Sequence, residues 1–354
     1  MQGLGGAPWR DLIAIGGSAG SLIPLTKLLQ GLPESCQACL LIVVHSSSES
    51  ADNLARILSR TSRLPVSIAA HNQPITRGVF VAPPDYHLLV TPGHLHVTLG
   101  PKENGFRPAI DPLFRTAAHA YERRVIGVLL SGALDDGVYG LQEIKSRGGL
   151  TIVQDPDEAD IPNLPRNAIE HVDVDHVLTA AAIAPVVARE TVLPRQGDVV
   201  MSGNDRDDPQ LPGGKTDIAD MNSKVGLSSG LTCPDCGGAL WQISEGDSVR
   251  FQCHVGHRYS PESLVVQHDD RVEQALWTAV RSLEERAELR RRMARQTEAA
   301  GLAAVSESLA EQAASAEMQA DTIRELLARS GGRTSASEVA TMELPARRKR
   351  PRQR

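Results

Sequence analysis

The chain has 354 residues, 41 % of them hydrophobic and 23 % charged, with a formal net charge of −6. That length allows about two domains, and the mild acidity excludes a globally basic nucleic-acid binder. No run approaches the ~18 apolar residues of a membrane span; the longest candidate, Val177 to Ala188, contains Pro185. Met1 to Arg10 lacks the pattern of a secretion signal. A cytoplasmic protein is expected, without membrane insertion.

The first element is Leu12-Ile-Ala-Ile15, an apolar run that predicts a buried strand. The turn Gly16-Gly-Ser-Ala-Gly-Ser21 follows, then helical spacing over Leu22, Leu25, Leu28 and Leu29. Glycines let the backbone bend there, and the amides at the helix start favour negative charge. Ser18 is therefore placed as a nucleophile. Three other readings compete. A dinucleotide-binding turn needs a third glycine spacing and an acidic end to the next strand, and both are missing. The Gly-x-Ser-x-Gly of α/β-hydrolases matches Gly16 to Gly20, but that family places it after several strands. A capping serine on an ordinary turn is the third.

Downstream segments favour the nucleophile. Cys39-Leu-Leu-Ile-Val-Val-His45 is a second apolar strand ending in histidine, with residues 22–38 as one crossover. A right-handed crossover sets the two strands side by side, so Ser18 and His45 can meet. Val125-Ile-Gly-Val-Leu-Leu-Ser-Gly132 is another buried strand, and Ala-Leu-Asp-Asp-Gly137 brings a carboxylate to the same edge. Serine, histidine and aspartate at three strand ends form the nucleophile, base and orienter of acyl transfer. Asp135 and Asp136 are not separable on these grounds.

With these pieces in order, residues from about 11 to 190 resemble the catalytic domain of the CheB-type chemotaxis protein-glutamate methylesterases. The matching motifs are Ile15-Gly-Gly-Ser-Ala-Gly20, Val43-Val-His45, Val81-Ala-Pro-Pro-Asp-Tyr-His87, Ala109-Ile-Asp-Pro-Leu-Phe-Arg-Thr-Ala-Ala118, Val128 to Gly137, and Val153-Gln-Asp-Pro156 with Leu164 to Glu170. The resemblance implies an α/β fold with a doubly wound, mainly parallel sheet over 8–192. It implies a serine esterase that removes γ-methyl esters from receptor glutamates and deamidates certain receptor glutamines. It selects Asp136 over Asp135, giving a triad of Ser18, His45 and Asp136. Backbone amides near Ala19, His45 or Ala133 would hold the oxyanion, Ala133 being the family's loop position. Arg115, inside a family motif and near Arg107, Arg123 and Arg124, is the candidate to meet an acidic receptor helix. Leu134 stands where the family commonly has glycine, and Ala19 where it often has threonine. Many members carry a receiver domain first. Here the esterase strand starts near residue 12, so a stand-alone form is expected, regulated by partners, by the carboxy-terminal half, or not at all.

Residues 193–230 are rich in Gly, Asp, Ser and Pro and read as a disordered linker. Cys233-Pro-Asp-Cys236 and Cys253-His-Val-Gly-His257 then predict a zinc-ribbon-like module over 231–260. Its ligands would be Cys233, Cys236, Cys253 and His257, with His254 as the rival fourth ligand and residues 239–252 as a hairpin. Four protein ligands leave no open position, so the zinc is expected to be structural. Similar pieces follow stand-alone esterases of the family, and Gly256-His-Arg-Tyr-Ser260 fits them. Cys36-Gln-Ala-Cys39 reads as small buried residues at a strand entrance rather than as a redox pair. Residues 261–330 predict a helical hairpin, with one stripe over Val272, Leu276, Ala279, Leu283 and Ala287 and another over Leu309 to Leu327. Homo-oligomerisation or partner docking is its natural use. The basic end, 331–354, reads as a disordered tail. Two functions of other classes stay open: an inert esterase fold serving as an adaptor, and a hydrolase acting on a protein ester outside chemotaxis.

Overall fold

A computed structural model describes residues 10–45, 51–191, 227–245 and 248–330. Most of the expected linker and the whole of the expected tail lie outside them. The chain divides into two units, residues 1–264 and 265–354.

In the first unit the order is β1 (Leu12–Gly17), α1 (Leu22–Gly31), β2 (Cys39–Val44), α2 (Ala51–Thr61), β3 (Val66–Ile68), β4 (Gln73–Pro74), β5 (Gly78–Val81), β6 (His87–Thr91), β7 (His94–Thr98), α3 (Ile110–Tyr121), β8 (Val125–Leu129), α4 (Val138–Ser146), β9 (Leu150–Gln154), α5 (Asn163–His171), β10 (His176–Leu178) and α6 (Ala180–Glu190). Seven strands form one sheet in the order β10-β9-β8-β1-β2-β5-β3, and every pairing in it is parallel. β1 is central because its residues are apolar on both faces. Leu12 and Ala14 pack with Phe114, Leu141 and Leu164 on the side of α3, α4 and α5. Ile13 and Ile15 pack with Leu25, Leu28 and Ile183 on the side of α1 and α6. Continuous apolar strands are what a sheet covered on both faces requires. A small antiparallel sheet, β4-β7-β6, accompanies the main one.

The strand order reverses at β1: β2, β3 and β5 lie on one side, with β5 inserted between β2 and β3, and the chain then returns to β8 on the other side. Such a switch point opens a crevice at the carboxyl ends of the strands. Cys36 and Cys39 are buried, and burial, with Asp11 adding to it, pushes the Cys39 thiol up to about 12. That is the state of inert core cysteines rather than of a redox pair.

Past residue 227, β11 (Ser228–Thr232), β12 (Ala239–Glu245), β13 (Ser248–Cys253) and β14 (Arg258–Tyr259) form a four-stranded antiparallel sheet. The module therefore begins inside the expected linker, and β12 and β13 make the expected hairpin. α7 (Pro261–Ala299) starts on this module and continues into the second unit.

Within the second unit, α7 and α8 (Ala303–Ser330) pair through Val280 with Ala320 and Leu327, and through Ala287 with Ala313 and Ala316. The rising and falling numbers make the pair antiparallel. Of the expected stripe, Leu276, Leu283 and Ala287 pack in this seam, joined by Val280, while Val272 is 59 % exposed, so the seam begins about one turn later. Arg291–Glu317 and Arg324–Glu284 ion pairs cross the pair. No described helix is long and apolar enough to cross a membrane.

Candidate active site and a metal-ligating cluster

β1 and β2 run in register, Gly17 opposite Val44, so the next residues of each, Ser18 and His45, emerge side by side. Ser18 Oγ lies 3.2 Å from His45 Nδ1, and His45 Nε2 lies 2.7 Å from Asp136 Oδ2. With Nε2–H donating to the carboxylate, Nδ1 is the acceptor that faces the hydroxyl. The imidazole is 6 % exposed and the carboxylate 1 %. The Ser18 turn is tight. Ser21 Oγ and N–H both donate to Ser18 O, at 2.6 and 3.1 Å, and Gly20 takes φ +78°, a conformation that favours glycine.

Asp136 sits against the amino end of α3. The Ile110 N–H donates to Oδ2 at 2.6 Å and the Asp111 N–H to Oδ1 at 3.3 Å. The residue before the helix, Ala109, has no side-chain acceptor, so Asp136 caps α3 from a distant part of the chain. Asn104 Nδ2 adds a third donor at 2.9 Å. Burial pushes the Asp136 pKa up, but His45 and these donors outweigh it and hold the carboxyl below its ordinary value. Asp135 differs. Its Oδ1 accepts from Ser260 and Ser263 at 2.8 and 2.9 Å, facing away from His45. Burial and the neighbouring Glu262 push it up to about 7.

The loop after β8 passes close to the nucleophile: a Cβ on Gly132 would lie 2.8 Å from Ser18 Cβ. Of the three amides expected to receive an oxyanion, the His45 N–H is taken by Gly17 O at 3.2 Å. The Ala133 N–H meets no acceptor among the described residues. Leu134 adopts φ +60°, so the loop keeps a left-handed residue although glycine is absent.

Arg115 is not where a receptor could reach it. Its guanidinium clasps buried Glu103 through both nitrogens, at 2.9 and 3.1 Å, and its side chain is 14 % exposed. Arg107 is paired with Asp85 and Arg124 with Asp11; of the expected arginines only Arg123 is left exposed.

Two functional residues escaped the sequence reading. Phe106 stacks on the His45 ring, with centroids 3.7 Å apart and planes 8° apart. Asn104, at φ +54°, bridges Asp136 and Asp111. Both lie in a loop without apolar periodicity. His87 steadies its edges: Nε2–H donates to Pro101 O at 2.8 Å, and Nδ1 accepts the Ala109 N–H at 3.3 Å.

The ligand atoms of Cys233, Cys236, Cys253 and His257 lie within 4.8 Å of one another. Cys236 Sγ and Cys253 Sγ are 3.7 Å apart, and His257 Nδ1 lies 3.6 and 3.4 Å from Cys233 and Cys253 Sγ. A tetrahedral zinc with bonds of about 2.3 Å to sulfur and 2.0 Å to nitrogen needs S···S near ~3.8 Å and S···N near ~3.5 Å. The donor set fits that geometry and is far too open for a disulfide. Each half comes from a tight turn: Gly237 N–H donates to Cys233 O at 2.8 Å, and Gly256 N–H to Cys253 O at 3.0 Å. His254 is not in the cluster.

Comparison with known proteins agrees with this architecture. The CheB methylesterase family model matches residues 13–187. A Leptospira interrogans relative is 40 % identical over 181 residues, 51 % of this chain and 94 % of its own length. The protein-glutamate methylesterase/protein-glutamine glutaminase of Pyrococcus abyssi is 37 % identical over 54 % of this chain and 53 % of its own length. The chain thus spans nearly all of the first relative and about half of the second. The crystal structure of the Thermotoga maritima CheB methylesterase catalytic domain superimposes with a TM-score of 0.50 at 29 % identity, covering 51 % of this chain and 99 % of that one. A parallel seven-stranded sheet that closes over a serine, a histidine and an aspartate at its switch point therefore goes with the sequence match: the chain belongs to the CheB methylesterase family.

Proposed function

We propose that this chain hydrolyses glutamyl γ-methyl esters on methyl-accepting chemotaxis receptors, and deamidates receptor glutamines by the same route. The observation that carries the reading is the unbroken series from Ser18 Oγ through His45 to Asp136 Oδ2, at 3.2 and 2.7 Å. His45 Nδ1 accepts the Ser18 proton as Oγ bonds to the ester carbon. Asp136 holds the ring tautomer and stabilises the imidazolium. The Ala133 N–H is the donor for the developing oxyanion, a contact typically worth about 3–4 kcal/mol of barrier. The imidazolium then gives its proton to the departing methoxide, and methanol leaves. Water, deprotonated by the same imidazole, attacks the acyl-enzyme; the bond to Oγ breaks, the imidazolium returns its proton to Oγ, and free glutamate leaves. With glutamine as substrate, ammonia leaves instead.

Phe106 bounds the ring face and keeps the imidazole in one plane. Arg115, committed to Glu103, braces the wall rather than meeting the substrate. Cys233, Cys236, Cys253 and His257 would hold a structural zinc, which supplies folding energy to the module and takes no part in the chemistry. Exposed Trp277, Leu289, Met293 and Met318 on α7 and α8 support a docking or self-association role for the hairpin. Ser18→Ala is expected to abolish methanol release from a methylated receptor. Undiminished release by that variant would overturn the reading.

A further inference from the structure

The family match ends at residue 187, yet a residue well beyond it reaches into the polar cluster behind the triad. Arg250, on β13, is 7 % exposed. Its Nη1 lies 2.8 Å from Asp111 Oδ2, its Nη2 donates to Asn104 Oδ1 at 3.3 Å, and its guanidinium covers the Tyr139 ring at 4.6 Å. Asp111 is fully buried, accepts from the Gly137 and Gly140 N–H groups at 3.1 and 2.7 Å, and stands next to Asp136 through its own N–H. Two adjacent buried carboxylates need a cation, and Arg250 supplies one from outside the esterase fold.

Asn104 shows the coupling atom by atom. Its Oδ1 accepts only from the carboxy-terminal module among the described residues: from Arg250 and from the Ser260 N–H at 3.0 Å. Its Nδ2 donates only to the esterase side, to Asp111 and Asp136 at 3.1 and 2.9 Å. The module's donors thus fix which way the amide faces, and that orientation gives Asp136 its third donor. The backbone is held in the same way. Asn104 N–H donates to Arg258 O at 2.7 Å, Arg258 N–H donates to Lys102 O at 3.3 Å, and Glu103 makes a single parallel bridge to Arg258 of β14. The segment 102–106, a tight turn tied to β14 at Glu103, is also the wall that carries Phe106 onto His45. Ser260 and Ser263 close a second seam on Asp135.

We propose that the Cys₃His module is a positioning element of the esterase, with Arg250 as its principal residue: it holds segment 102–106 so that Asn104 and Phe106 fix Asp136 and His45. This rests on the triad reading above. It makes the metal cluster, three residues from Arg250 along β13, a determinant of turnover without any contact with substrate.

The test uses the full-length protein purified without chelator. Turnover of a methylated receptor and amide hydrogen exchange of residues 102–106 are measured in parallel. Arg250→Gln is expected to lower kcat by about 10- to 100-fold, the scale of a misplaced catalytic group, with KM little changed. Arg250→Lys keeps a charge on Asp111 but has no fork to serve Asn104 as well, and should fall between. Chelation should accelerate exchange at 102–106 while β1 and β8 stay protected, and added Zn²⁺ alone should reverse it. If Arg250→Gln loses protection in β1 and β8, the chelated wild-type protein carries the test. An unchanged kcat in Arg250→Gln, a Lys variant no better than Gln, or exchange at 102–106 indifferent to metal would each overturn the proposal. An active Ser18→Ala variant would sink the hydrolase reading instead, and the exchange experiment would still judge this one.

Discussion

The esterase sheet and the Cys₃His module reach a defined structure by different means. The sheet is ordered by apolar burial on both of its faces, with Leu12, Ala14, Leu41 and Val43 on one side and Ile13, Ile15, Leu40 and Ile42 on the other. The module buries Cys233, Leu240, Cys253, Tyr259 and Leu264, with Phe251 half-buried against them. Two of those five core residues are cysteines of the Cys₃His cluster, so apolar side chains supply only part of its interior. The reactive groups are divided accordingly. Ser18, His45 and Asp136 follow strands of the sheet, while Asn104, one of the three donors to Asp136, is itself held by the module. A site built this way draws its rigidity from two sources that respond to different perturbations.

Metal removal should separate the two most strongly. A structural zinc in a small module contributes about 10–16 kcal/mol of apparent binding free energy at neutral pH, more than the apolar contacts of so small a core. Chelation or Cys253→Ser is expected to unfold 228–260 while the main sheet keeps its cooperative transition, giving two calorimetric steps in place of one. A single transition indifferent to chelator would erase the distinction. The metal-free thiol of Cys253 is pushed up to about 12 by burial, so zinc uptake must displace its proton and should weaken as pH falls.

A smaller effect sharpens the seam between the regions. Asp135 has a folded-state pKa raised to about 7, against about 3.9 in an unfolded chain. Between those values the folded state holds more protons than the unfolded one, so this group lowers stability as pH rises through the window. Asp135→Asn should flatten that slope, raising Tm at pH 8 relative to wild type and leaving it unchanged near pH 4. An equal slope in both proteins would show that burial and Glu262 do not raise this carboxyl.

What could be read in advance divides along the same line. Apolar runs ending in Ser18, His45 and the Asp135-Asp136 pair disclosed three strand ends, because buried parallel strands announce themselves by composition. Spacing alone pointed to Cys233, Cys236, Cys253 and His257, whose ligand atoms the fold gathers. Asn104 and Phe106 left no such trace, since their places depend on β14 of another module rather than on local periodicity. Arg115 was misjudged because its partner, Glu103, sits in that same loop. The one available clue was a missing cap: Ala109 precedes α3 without an acceptor, which calls for a carboxylate from elsewhere, and Asp136 is that carboxylate. Leu134 shows the converse case, a left-handed turn kept by the surrounding loop without the glycine that usually marks it.

In the proposed hydrolase, Ser18 is made nucleophilic by His45 and Asp136. Covalent trapping tests it most directly: an ester-mimicking phosphonate is incubated with the protein and the adduct is located by mass spectrometry. A single adduct is expected on the peptide bearing Ser18, formed orders of magnitude more slowly in His45→Ala. An adduct elsewhere, or labelling of Ser18 at the same rate without the imidazole, would contradict it.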